Sequence, residues 1–264
     1  MRYSPRPAGP IVTRATFTFL LAAIVWSAVS GCSSLPESQR SDLRDPFENG
    51  NREVFAFNMG FDTYVIEPVA EAYRNGVPEG GQRAIGNHVK WAGMPSTAIN
   101  SALQGKAENA GLATLNFLVN GLTLGFVDLV EDDTPIIKED FGQTLAAANV
   151  PEGSFLMVPF LGPKTTRSFA GTIGDMVMDP IGTLAGGGNL QTVNQLRTPV
   201  AVVDFRARTF DAFNDVKYNA IDPYSRVRSV YYQTRAGMLE DRVRSTIGAS
   251  EINDEFDDFF EDES

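Results

Sequence analysis

The chain has 264 residues, 43% of them hydrophobic, with 33 acidic against 22 basic side chains and a net charge of −11. That balance argues against nucleic acid, which needs a basic face, and against adhesion to anionic lipid by charge. One cysteine leaves no disulfide within the chain, so packing alone must hold it.

The N-terminus carries an address. Arg2, Arg6 and Arg14 make a basic start, residues 15–29 form an apolar run of secretory length, and Val29-Ser30-Gly31-Cys32 sets small residues before the cysteine. This is the pattern of a bacterial lipoprotein processing site, with residues 1–31 as the signal peptide and Cys32 as the acylated first residue of the mature chain. At about 0.8 kcal/mol per buried CH2, one fatty chain binds a membrane marginally, whereas two or three anchor it. A buried free cysteine behind an ordinary signal is the competing reading, and it leaves the position of Cys32 unexplained. Residues 32–44 are polar, contain Pro36 and read as a tether able to span up to roughly 40 Å.

From residue 45 to about 248 the chain reads as one helical domain. Asp45-Pro46 predicts an N-cap with proline in the first turn, opening a helix whose Val54, Phe57, Phe61 and Tyr64 share a face. Glu67-Pro68 starts a second, short helix closed by Asn75-Gly76 and Pro78. A third runs over residues 81–103, where Pro95 predicts a kink or break. His88 lies there, the single histidine, and is expected to be a packed or surface residue rather than a catalyst.

Residues 109–127 are nineteen in a row without a charge, close to the length of a spanning helix but poor for one because of three glycines and three asparagines. On a helix, Asn109, Asn116, Asn120 and Thr123 fall within about 60° of one another, and leucine, valine and phenylalanine cover most of the rest. Two readings stand. Either the helix is buried and its asparagines bond neighbouring backbone, or it has lipid or protein outside and a polar, water-filled lumen inside, in which case these four residues line a channel.

Residues 154–158 are apolar but too brief to be half of a sheet alone, and residues 159–163 read as a rigid loop. Thr165 or Thr166 can cap a helix toward Asp175. Gly186, Gly187 and Gly188 make the most flexible internal stretch and a candidate hinge. A long amphipathic helix is predicted over residues 191–218. Asp222-Pro223 caps another, with Val227, Val230, Tyr231, Thr234 and Met238 on one side and Arg226, Arg228, Arg235 and Arg242 among the rest. Residues 249–264 contain eight acids and no base from Glu251 onward and read as an acidic, disordered tail, although Phe256, Phe259 and Phe260 are unusual there. No strand series or repeat is present, so the fold class is mostly α.

The chemistry of an enzyme is missing. There is no Gly-x-Ser-x-Gly elbow, no His-Glu-x-x-His site and no cysteine pair for a metal, and the Gly-Lys dipeptides lack the rest of a phosphate loop. Acidic pairs such as Glu139-Asp140 occur, but nothing sets two across a cleft. No cofactor is implied.

Several short motifs, in their order and spacing, resemble the MlaA (VacJ) lipoproteins. They are the processing site at Cys32, Asp45-Pro46-Phe47-Glu48 with Asn51-Arg52, Phe57-Asn58, Pro68-Val69-Ala70, Phe141-Gly142-Gln143-Thr144-Leu145, Val158-Pro159-Phe160-Leu161-Gly162-Pro163 with Arg167, and Asp222-Pro223-Tyr224. Asn49-Gly50 departs from the family's glycine-then-aromatic pair, and the acidic tail has no counterpart. The resemblance implies a ring-shaped helical domain lying in one leaflet of the outer membrane, with a central channel. It further implies partnership with a trimeric porin and hand-off of mislocalised phospholipid to a soluble periplasmic carrier (MlaC-like), so that outer-membrane lipid asymmetry is maintained. Ser33 after the acylated cysteine is compatible with export to that membrane. Three classes compete: a passive phospholipid channel, a periplasmic scaffold or adaptor merely hung from Cys32, and a lipid-cleaving enzyme.

Overall fold

A computed structural model of the protein describes residues 42–130, 135–179, 181 and 189–246. The signal segment, Cys32, most of the tether, the glycines 186–188 and the acidic tail lie outside the described residues.

The fold is mostly helical. α1 (Glu48–Phe61) passes through a π-helical turn (Asp62–Ile66) directly into α2 (Glu67–Gly76), so the two helices expected from the prolines form one rod. Pro68 follows directly on the π-helical turn, and the rod continues past it with one backbone bond fewer. α3 (Glu79–Leu103) likewise runs through Pro95 without a break. Packing against α4 (Ala107–Asn120) and α7 (Asn189–Arg208) on either side of the proline outweighs one lost backbone bond. The expected helix over 109–127 stops earlier, at Asn120. A 3-10 turn (Gly121–Thr123) follows, and Leu124 and Gly125 take left-handed backbone at φ 52° and 76°. Gly125 has no alternative there, since a Cβ would lie 2.3 Å from that of Trp91.

α5 (Phe141–Ala147) is capped by the Asp140 side chain, which accepts from the Gln143 amide at 2.8 Å. The short run after it does form a sheet, against expectation: β1 (Phe155–Val158) pairs antiparallel with β2 (Gly162–Thr165), Phe155 opposite Thr165 and Leu156 opposite Lys164. Four-residue strands have too few periods to be read from pattern, and outside partners hold this pair in place. Asn51 Nδ2 donates to the Phe155 carbonyl at 3.2 Å and its Oδ1 accepts from the Met157 amide at 2.8 Å. One heptad later on α1, Asn58 clips the Val158 carbonyl and the Phe160 amide at 3.1 and 2.9 Å. Thr165 then caps α6 (Thr166–Met178). The long helix expected next is divided into α7, α8 (Phe210–Asn214) and a π-helical turn (Asp215–Asn219) before α9 (Pro223–Thr246).

The apolar core is small. Phe155, Met157, Tyr224 and Tyr232 are buried together, flanked by Val54, Phe55, Val227 and Tyr231, with the rings meeting edge to face at 5.7–6.1 Å for Phe55–Tyr224 and Phe155–Tyr224. This cluster joins the first described helix to the last. Asp45, expected as an N-cap, is instead fully buried beneath it: the helix begins after Phe47, and Asp45 accepts from Asn51 at 2.8 Å, from Arg228 at 2.5 Å and from the Tyr224 hydroxyl. Arg52 of α1 grips Asp222 at the head of α9 through two bonds of 3.1 and 2.7 Å. The chain therefore closes on itself.

Candidate functional site

The residues that face inward are the reverse of what a water-soluble helical protein requires. Among the described side chains of α9 the buried positions are Tyr224, Arg228, Tyr232 and Arg235, a stripe at helical spacing, while Val230 is exposed. Among the described residues, buried polar and charged side chains outnumber buried hydrophobic ones. Each buried charge costs free energy unless it is paired and hydrogen-bonded, and here they are organised in clusters.

One cluster sits where the two π-helical turns meet. Asp62 accepts from Arg206 Nε at 2.8 Å and Lys217 Nζ at 2.7 Å, and Lys217 also reaches Glu67 at 2.7 Å, which takes the Tyr218 hydroxyl at 2.8 Å. A second lies between α3, α5 and α6. Asp175 accepts from Ser96 Oγ, Asn100 Nδ2 and the Phe141 amide at 2.8, 2.9 and 3.1 Å, and the fully buried Glu139 pairs with Lys106 and with Gln104 at 3.0 Å. The α5–α6 contact is close because both helices present glycine: a Cβ on Gly171 would lie 2.3 Å from the Gly142 nitrogen. On the α2–α7 side Tyr73 donates to Asp204 at 3.0 Å, and burial, reinforced by that carboxylate, pushes its phenol up to about 12. Asp140 shows the opposite balance. Burial alone would raise it, but the hydrogen bonds and charge of Arg235 hold it below its ordinary value. At the closure, hydrogen bonding from Arg52 holds Asp222 well below the carboxylate range.

The asparagine stripe of α4 belongs to this inward polar set. Asn109 donates to Ser101 Oγ and the Ile137 carbonyl, both at 2.8 Å, and accepts from the Ile137 amide. Asn120 donates to Asn116 at 3.1 Å and Asp128 at 2.9 Å and accepts from the Leu129 amide at 2.7 Å, and Thr123 Oγ1 joins the Asn120 and Val127 carbonyls. Asn109, Asn120 and Thr123 thus hold the segment after α4 against the helix, and Asn116 supports Asn120. His88 completes this fastening from α3: its Nδ1 bonds the Leu124 carbonyl at 2.6 Å and its ring stacks on Phe126.

Outside lies apolar surface. On α4 Leu115 and Leu118 are exposed, as is Leu122, at 83%, in the 3-10 turn beyond it; Leu115 and Leu118 with Ile99 of α3 border an apolar groove of about 580 Å3 floored by Ala98, Ala102 and Gly111, and Leu103 is exposed as well. α6 exposes Ile173, Met176 and Val177, the last at 73%, α7 exposes Val202 and Phe205, and the α1–α2 rod exposes Phe57, Tyr64, Val65 and Val69. Exposed apolar surface on this scale marks contact with lipid or with another protein. Among the described residues no helix is long and apolar enough to cross a membrane.

Pattern reading located the asparagine stripe but missed the ion-pair clusters, because their members are 30 to 180 residues apart and each sits among ordinary surface-type sequence. Asn51 and Asn58, seven apart, were the one local signal of the strand clips.

Fold and surface together define an all but wholly helical protein with a hydrogen-bonded polar interior under an oily exterior. The model of the MlaA lipoprotein family matches residues 43–237, and the chain belongs to that family. It is 29% identical over 233 residues to the intermembrane phospholipid transport system lipoprotein MlaA of Haemophilus influenzae, covering 84% of this chain and 88% of the relative. To the protein of the same name from Escherichia coli K12 it is 27% identical over 217 residues, covering 77% and 81%. A solved chain from work on the structural basis for maintenance of bacterial outer membrane lipid asymmetry superposes with a TM-score of 0.62 at 26% identity, covering 74% of this chain and 98% of that one.

Proposed function

We propose that this protein is an outer-membrane lipoprotein, acylated at Cys32, whose ring-shaped body lies in the periplasmic leaflet and removes mislocalised phospholipid from the outer leaflet. The lipid passes through a central polar channel to a soluble periplasmic carrier, and a trimeric porin holds the body in place. The observation that carries this reading is the inverted burial: charged and amide side chains inside, leucine and valine outside. The polar interior solvates a headgroup while the tails stay in apolar surroundings, so the barrier to crossing a leaflet falls without bond chemistry. Asn109, Asn116, Asn120 and Thr123 fasten the segment after α4 to the polar side of that helix, and in this reading the fastened side borders the passage. The reading needs no catalytic residue, and the family's phospholipid-transport name supports transport over cleavage.

The test separates body from anchor. With its signal peptide replaced and Cys32→Ala introduced, the protein should still require detergent or vesicles to stay dispersed. Cells lacking the gene should accumulate phospholipid reachable by a membrane-impermeant amine reagent. A Cys32→Ala protein that is a detergent-free soluble monomer would instead establish a lipid-hung scaffold. Release of fatty acid or lysolipid by the purified protein would establish an enzyme.

A further inference from the structure

One cation in the polar interior is left unmatched by its neighbours. Lys164 stands opposite Leu156 across the hairpin, and alternation along β1 puts this pair on the face turned away from the buried Phe155 and Met157. Its side chain is partly buried, and among the described residues its ammonium has no hydrogen-bond acceptor and no ion-pair partner within 4 Å. The charges acting on it are Asp140 and Asp175, which favour the ammonium, and Arg235 and Lys138, which oppose it.

Both carboxylates are already engaged. Asp140 takes two Arg235 nitrogens at 2.5 and 3.3 Å and the Gln143 amide, and Asp175 takes Ser96, Asn100 and the Phe141 amide. Neither carboxylate is thus left to Lys164, whose ammonium keeps three N–H donors without a protein acceptor among the described residues. Burial pushes the Lys164 amine down, as it must for a cation that lacks a counter-ion. Lys138 is exposed, so the cluster leads from the surface inward.

We propose that Lys164, in the field of Lys138 and Arg235, binds a phosphate ester, and that its ligand is the phosphodiester of a phospholipid headgroup in passage; this rests on the transport reading above. An anionic phosphate oxygen supplies both the counter-charge and the acceptor that this ammonium lacks. Lysine suits a site that must also release its ligand, because it offers a point charge on a flexible stem rather than the two-pronged clamp of arginine.

The full-length protein in detergent, its K164M and K164R variants, and three probes decide the matter: phosphatidylethanolamine, diacylglycerol with the same acyl chains, and inorganic phosphate, with binding followed by native mass spectrometry. K164M should bind phosphatidylethanolamine about tenfold or more weakly, the size of effect expected for one lost charged hydrogen bond. K164R should recover to within about threefold, and diacylglycerol should bind all three proteins alike. K164M should also melt no lower than the parent, since it removes an unmatched cation. Unchanged phosphatidylethanolamine binding by K164M overturns the site, and so does a lower melting temperature, which would make the amine structural. If the parent binds inorganic phosphate through Lys164 but no phospholipid, the transport reading and the assigned ligand fail and an anion site remains. If K164M binds normally while the gene still clears surface phospholipid, the site fails and the transport reading stands.

Discussion

Two regions of this molecule are built on opposite principles. Where α1, the hairpin and α9 meet, Phe155 and Tyr224 are packed out of water as in any soluble domain. Where α4 meets the segment that follows it, the inward contacts are amide and hydroxyl bonds from Asn109, Asn116, Asn120 and Thr123, and the leucines point out. The first region derives its stability from removing apolar surface from water. The second cannot, and it depends on fully satisfied polar contacts inside and on oil outside. The contrast teaches that burial has to be argued separately for each part of a protein that works at a membrane.

Substitutions should divide along that line. Phe155→Ala should cost most, about 3–5 kcal/mol, because it empties the centre of the buried aromatic cluster; chemical unfolding in detergent measures it, and a loss under 1 kcal/mol would mean that the core is not the keystone. Asn120→Leu should cost about 2–3 kcal/mol by stranding the Leu129 amide and Asp128. Its damage should be local, with faster amide exchange over residues 121–130 and unchanged protection in α9. Gly171→Ala should cost about 1–3 kcal/mol through the clash with Gly142, seen as a lowered melting temperature and relieved in no detergent. Acid should act more gradually. Asp140 and Glu67 hold folded values below their ordinary 3.8 and 4.5, so the unfolded chain binds protons first. Their contribution is complete above about pH 5 and is lost as pH falls through 4.5 and 3.8 toward the folded values. A melting temperature flat from pH 7 to 3 would contradict those pairings. Smallest in stability should be Leu118→Glu with Leu122→Glu, within about 0.5 kcal/mol in detergent, yet vesicle partitioning of the Cys32→Ala protein should drop several-fold.

How much was readable follows from the same contrast. Prolines, glycines and capping acids located most helices, and the Thr165 cap and the all but strandless architecture follow from them. The hairpin escaped because each strand has only four residues and is held by Asn51 and Asn58 from another element. Asp45 was misassigned because Asp-Pro before a helix looks like a cap, whereas its partners, Tyr224 and Arg228, lie about 180 positions on. Which face of α9 turns inward is not legible from apolar periodicity, because taking the apolar side as the buried one presumes water outside. Lys164 gives no local signal at all, since only the folded neighbourhood shows that its counter-charges are taken.

The closure of α9 upon Asp45, Glu48 and Arg52 also sets an order of events in biogenesis. A chain synthesised from its N-terminus delivers Asp45 long before the arginine that neutralises it, so the leading helix must wait without that partner until nearly the whole polypeptide has emerged. Premature termination anywhere ahead of Tyr224 would therefore be expected to leave not a shortened ring but an unlatched strand of helices, exposed to proteolysis.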